Sequence, residues 1–201
     1  MIHSQDRSGY FGASDTAVIM GNWTTKTFER FWMEKLGLLK RDFANTAMRA
    51  GTEYEHRILD YLGIVQRDRQ IIIEDLKLRV NLDGETEIIH EVKTHKKPVF
   101  VVTKPYWQQS QVEMFAAGKN LEIVSYQMTE SEYKNFFLPI DGRRIGKHQV
   151  AYDQQWIECE YRPRLVVLVD CLRQGVWPRG DYVSGCKSKK RRRSVAVPTG
   201  G

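Results

Sequence analysis

The sequence predicts an α/β domain with a mixed central β-sheet flanked by helices. Three observations predict it. Two segments with helical hydrophobic spacing fill the first third of the chain, and runs rich in β-branched and aliphatic residues follow between residues 69 and 102. A further helical segment then separates those runs from a second strand-like stretch, so helices and strands interleave within one chain. At 201 residues, one compact domain can bury a sizeable core.

Taken in order, TKTFERFWMEKLG (25–37) reads as a helix, with Phe28, Phe31, Trp32 and Leu36 recurring at helical spacing and Gly37 as its stop. A second helix starts at Asn45, a suitable N-cap, and runs to Gly63. Met48, Gly51, Glu55, Ile58, Leu59 and Leu62 share one face, which is expected to be buried although it contains a carboxylate. RQIIIED (69–75) and LKLRVNL (76–82) read as strands, Asp83-Gly84 as the turn after them, TEIIHEVKTH (86–95) as the next strand and PVFVV (98–102) as another. Thr103-Lys104-Pro105 opens a helix with proline in its first turn, ending near Gly118. LEIVSYQM (121–128) and KNFFLPI (134–140) resume strand character. From Asp153 the text allows one long helix kinked at Pro163, or a helix followed by the strand LVVLVD (165–170); the helix is the preferred reading.

The composition, 41% hydrophobic and 28% charged, is that of an ordinary soluble globular protein. No apolar run approaches the roughly 20 residues of a membrane span, and the first residues lack the features of a signal peptide. A cytoplasmic protein without membrane attachment is expected. The three cysteines, Cys159, Cys171 and Cys186, show no CxxC pattern and read as free thiols, so structural zinc is not expected. The net charge of +6 resides in KSKKRRR (187–193); without it, the other 25 basic residues match the 25 acidic ones. Such a tract reads as a solvated tail for which nucleic acid is one fitting partner.

The stretch NLDGETEIIHEVKTH (81–95) carries the chemistry. Side chains alternate along a strand, so Glu91 and Lys93 project together while His90 and Val92 face away. A hairpin can bring Asp83 beside Glu91. Two carboxylates hold a hard divalent cation that neutralises charge on a phosphodiester and lowers the pKa of a bound water. The Val92 carbonyl is a natural further ligand. Lys93 can position or deprotonate the attacking water, given a pKa lowered by desolvation and a nearby cation. The bland reading is an exposed hairpin of alternating charges. Against it stand the apolar neighbours Ile88, Ile89 and Val92, and a third acid, Glu55, on the inward helix face. His90, His95 and His148 read as structural, and Trp23, Trp107 and Trp156 as core. Arg143, Arg144 and Lys147 read equally as DNA-backbone contacts or a solvated loop.

The order of motifs resembles the YqaJ-type viral recombinase (phage lambda exonuclease) family of the PD-(D/E)xK nuclease superfamily. The resemblance spans about residues 7–180. Its parts are Gly12-Ala13-Ser14-Asp15, Ile19-Met20-Gly21, the Thr27–Gly37 helix with Trp32-x-x-Lys35-x-Gly37, Gly51-Thr52-x-x-Glu55, Asp83-Gly84, Glu91-Val92-Lys93, and Tyr106-x-x-Gln109-x-Gln111-x-x-Met114. It implies a restriction-endonuclease-like domain over 1–182, followed by a basic tail over 183–201. It further implies that Asp83, Glu91 and the Val92 carbonyl bind Mg2+, with Mn2+ able to substitute. Glu55 would serve the metal site, Lys93 would activate water, and Gln109 would support the site with Gln111 near it. The implied substrate is double-stranded DNA degraded from its 5′ end, with the terminal phosphate held by Arg7 and Ser14; Ser14 reads equally as a helix N-cap. The implied setting is phage-type recombination beside a single-strand annealing protein, with a homotrimer by analogy. Two alternatives stay open, a DNA endonuclease of the same superfamily and a non-catalytic DNA-binding module.

Overall fold

A computed structural model describes residues 8–39 and 46–179, with side chains of its third helix described from Gly51 onward. Arg7, the Asn45 cap, Cys186 and the basic tract lie outside the described residues. A five-stranded sheet of order β1-β2-β3-β4-β5 comprises Gln66–Ile73, Leu78–Glu85, Ile89–His95, Leu121–Gln127 and Ile145–Val150. Neighbouring strands are antiparallel except β3 and β4, which run parallel along their whole length. A parallel pair needs a crossover connection, and α4 (Lys104–Ala117) supplies it.

Two apolar clusters form. In the first, the short α1 (Thr16–Ile19) and α2 (Lys26–Lys35) contribute Ile19, Phe28, Phe31 and Trp32. These join Leu78, Val80 and Leu82 of β2, Val112 and Met114 of α4, and Leu165 and Leu168 of α7 (Arg162–Gln174). Phe28 and Trp32 stack at 6.0 Å, the offset contact aromatic pairs favour. The Thr25 hydroxyl caps α2 by accepting the Phe28 N–H at 3.2 Å. In the second cluster, Tyr54, Ile58 and Leu59 of α3 (Thr46–Tyr61) cover Val92, Val124 and Tyr126. Val92 therefore faces α3, and the alternation of β3 turns Glu91 the other way, toward α4. No helix among the described residues is long and apolar enough to cross a membrane.

Several elements differ from the sequence-based expectation. Asp83 and Gly84 are not a turn; they lie inside β2, which β1 holds in register as far as Gln66↔Glu85. The turn sits later, closed by Thr86 N–H donating to Ile88 O at 2.9 Å. PVFVV is not a strand. The segment runs unpaired, with Val99 and Val101 exposed. KNFFLPI is a loop after α5 (Glu130–Lys134), strapped by the Arg57 guanidinium donating to the Phe136 and Leu138 carbonyls. The fifth strand is instead the polar IGKHQV. The last stretch is helical, from α6 (Gln154–Trp156) through a π-helical turn over 157–161 into α7. Pro163 falls in the first turn of α7, directly after the π-helical turn.

Candidate active site

The β2–β3 ladder is short, pairing only Gly84↔His90 and Glu85↔Ile89. One step further, Asp83 stands across from Glu91, and there the strands separate. The Val92 N–H, without a β2 backbone partner at that point, donates to Asp83 Oδ2 at 2.9 Å. Glu91 is almost fully buried. Its Oε1 accepts from Lys93 Nζ and, at 2.6 Å, from Gln109 Nε2 on α4. The same nitrogen lies 2.8 Å from Oε1 of Glu113, one turn further along α4 and wholly buried. The Oε2 atoms of Glu91 and Glu113 are buried and accept no hydrogen bond from any described residue.

Like charges crowded out of water raise one another's pKa. Burial, then the charges of Glu91 and Asp68, push the Glu55 carboxyl up to about 7 against the pull of Lys93. Asp83 is raised well above the usual carboxylate range by burial and by Glu91 and Glu55. Glu113 is raised likewise, by burial and Glu91. For Lys93, burial works downward, but the carboxylates of Glu91 and Asp83 outweigh it and hold the amine above its ordinary value. The depressed lysine expected from sequence supposes a cation beside it, whereas its charged neighbours among the described residues are acids.

These residues fit a divalent metal. Four acids, Glu55, Asp83, Glu91 and Glu113, converge around one lysine, and two buried carboxylate oxygens go unbonded. Such atoms are costly unless a cation or donor meets them. All-oxygen donors suit a hard ion such as Mg2+. Beside Glu55, His56 and Asp68 bring a ring nitrogen and a second carboxylate within 4.8 Å of its own. Asp68 holds a left-handed φ of 55°, a strained conformation of the kind that gathers at functional sites.

Other residues named from sequence are placed differently. Gln111 is not beside Gln109. Two positions along a helix turn the side chain about 200° away, and Gln111 instead donates to Ala151 O at 2.8 Å and accepts from Asp153 N–H at 2.7 Å. It pins the chain leaving β5. Ser14 is exposed within a 3-10 turn over Ala13–Asp15. It does not serve as the cap, because Asp15 accepts the Gly12 N–H at 2.8 Å and also the buried Lys35 amine. The contact that Val92 makes at the site is through its amide. His90 turns away from Glu91, bonding Glu122 at 3.0 Å and Thr86 at 2.8 Å. Trp23 is buried in the core, and Trp107 and Trp156, edge to face with each other at 4.9 Å, pack against that core. Arg144 is tied to Glu132, Arg143 to Asp141 and Lys147 to Glu122. Sequence reasoning missed Glu113, His56 and Asp68. For Glu113 a signal existed, since it follows Gln109 by four residues and so shares its helix face.

No family model matches this chain, and no curated protein does. Solved structures do. An alkaline exonuclease from Laribacter hongkongensis superimposes with a TM-score of 0.62 over 84% of this chain and 90% of its own, at 21% sequence identity. A candidate exonuclease from Eubacterium rectale gives 0.52 over 98% of this chain and 94% of its own, at 12% identity. The mixed five-stranded sheet with its flanking helices is thus a restriction-endonuclease-like α/β fold.

Proposed function

We propose that the protein is a magnesium-dependent deoxyribonuclease that degrades double-stranded DNA from the 5′ end. The observation that carries this reading is the convergence of Asp83, Glu91, Lys93 and Gln109 where β2 and β3 separate, with one Glu91 oxygen unbonded. The likeness of the fold to the alkaline exonuclease points the same way. Residues 1–182 make up the nuclease domain and 183–201 the basic tail. Asp83, Glu91 and the Val92 carbonyl would hold the ion, with Glu55 serving it from α3. When bound, Mg2+, or Mn2+ in its place, supplies charge neutralisation at the phosphoryl oxygens and a more acidic bound water. Lys93 Nζ, which lies against Glu91, would hold the attacking water and, as the neutral amine, take its proton. Gln109 keeps Glu91 oriented, while Arg7 and Ser14 hold the terminal phosphate; a guanidinium fork and a hydroxyl suit that group. Work in phage-type recombination beside a single-strand annealing protein, as a cytoplasmic homotrimer, completes the proposal.

The test uses linear and closed circular duplex DNA with Mg2+, the linear form labelled at its 5′ ends. Early release of labelled nucleotides from linear DNA, with circles intact, is the expected result. Cutting of circles identifies the endonuclease of the same superfamily, and binding without cleavage of either form identifies a non-catalytic module. Lys93→Ala lowers the cleavage rate by about 10²–10⁴-fold, the usual worth of general acid–base catalysis, with DNA binding retained. Wild-type cleavage by that variant overturns the mechanism.

A further inference from the structure

We propose that Glu113 is a positioning residue of this centre: by holding the Gln109 amide nitrogen it sets the side-chain conformation of Glu91, and with it the affinity for a divalent cation. The inference rests on the nuclease reading above. A glutamine NH2 has two hydrogens to donate. In Gln109 the nitrogen lies 2.6 Å from Glu91 Oε1 and 2.8 Å from Glu113 Oε1, so both hydrogens are directed at carboxylates and the amide plane is fixed. Removing the Glu113 acceptor frees the amide to rotate, and Glu91 loses a donor that orients it. Groups that orient metal-binding side chains in this way affect affinity or activity about 10–100-fold when removed.

Beyond the unbonded oxygen it brings to the acidic centre, Glu113 accepts its one hydrogen bond among the described residues from Gln109. Its side chain is fully buried, its second oxygen is unbonded, and among the described residues no ion pair within 4.0 Å engages it. Burying an acid that is not fully paired is itself costly, so an apolar side chain of similar size offsets the loss of the Gln109 contact. Glu113→Met therefore separates function from folding, and Glu113→Gln restores a hydrogen-bond acceptor without the charge.

The experiment measures Mn2+ binding to the full-length chain by electron paramagnetic resonance, alongside thermal unfolding and steady-state cleavage of linear DNA. Expected for Glu113→Met are a melting temperature at or above wild type, Mn2+ binding weakened about 10-fold or more, and a lower kcat with KM for DNA unchanged. Glu113→Gln recovers most of the Mn2+ affinity. In a Gln109→Ala background the Glu113→Met change adds nothing further, because the amide that links it to Glu91 is gone. Wild-type Mn2+ affinity in Glu113→Met, failure of Glu113→Gln to recover it, or full additivity with Gln109→Ala each overturns the positioning role while leaving the nuclease reading intact. A wild-type chain that binds no Mn2+ overturns both.

Discussion

Replacing Gly84 by alanine drives a methyl group into the second apolar cluster. A Cβ on Gly84 comes within 2.7 Å of Leu59 Cδ2 and 3.1 Å of Ile64 Cγ2, and both side chains are buried and unable to swing away. Overpacking of this kind costs about 1–3 kcal/mol. Gly84→Ala is expected to unfold at lower denaturant concentration, and an unchanged midpoint counts against this account. The glycine after Asp83 thus answers to close packing by α3, where sequence suggested a turn. The same contrast runs through the individual residues. Asp83, Glu91 and Lys93 were legible because strand alternation alone puts Glu91 and Lys93 on one face and a short connection brings Asp83 across. Gln111 was misjudged because closeness in a motif is not closeness on a helix. Glu113 went unnoticed because an acid on a helix usually reads as solvated, and only the three-dimensional setting reveals it to be wholly buried. The left-handed Asp68 was hard to see in sequence, since aspartate only favours positive φ and most aspartates do not adopt it.

Short elements depend on side-chain networks more than on propensity, and α5 shows how. Its cap is reciprocal: the Thr129 hydroxyl accepts the Glu132 N–H at 3.3 Å, and Glu132 Oε2 accepts the Thr129 N–H at 2.7 Å. Glu132 also accepts from the Tyr126 hydroxyl at 2.6 Å and from Arg144 Nη2 at 2.9 Å, joining α5 to β4 and to the entry of β5. Burial alone would raise this carboxyl, but the Arg144 guanidinium, the Thr129 amide and the Tyr126 hydroxyl hold it down at about 2. A folded-state pKa below the unfolded one contributes stability above pH 4.5 that is lost as pH falls toward about 2. Glu132→Gln is therefore expected to lose roughly 2–3 kcal/mol at neutral pH, and the difference from wild type should shrink over that acid window. A difference independent of pH contradicts the linkage. The elements themselves were legible in proportion to their periodicity. α2, α3 and α4 have helical spacing or clear caps, and β1 to β4 have aliphatic runs. β5 was missed because IGKHQV is an edge strand with little apolar text. PVFVV was misread because propensity reports a liking for extended backbone and not whether a partner strand lies alongside.

For the molecule as a whole, the fold class followed from the order of helices and strands, which leaves few ways to bury both faces of one sheet. The parallel pairing of β3 with β4 follows from the helix between them. What order could not reveal is the separation of β2 from β3 at Asp83, since it depends on where a ladder stops. Charge is the other property of the whole chain, and it divides sharply: the net +6 equals the charge of residues 187–193, and the rest balances to zero. A neutral body with a buried acidic centre attracts a polyanion weakly, so the tract should supply a large share of the non-specific DNA affinity. Each phosphate neutralised on duplex DNA contributes about 0.9 to the slope of log K against log salt. Removing residues 183–201 is therefore expected to lower DNA affinity at low salt and flatten that slope by up to about 5, from the six basic residues lost. The cleavage rate at saturating DNA should stay unchanged, because none of Glu55, Asp83, Glu91, Lys93 or Gln109 belongs to the tail. Fluorescence anisotropy of a labelled duplex across a salt series measures the slope for both lengths of chain. An identical slope removes the tail from DNA binding, and a fall in kcat instead gives it a part in the chemistry.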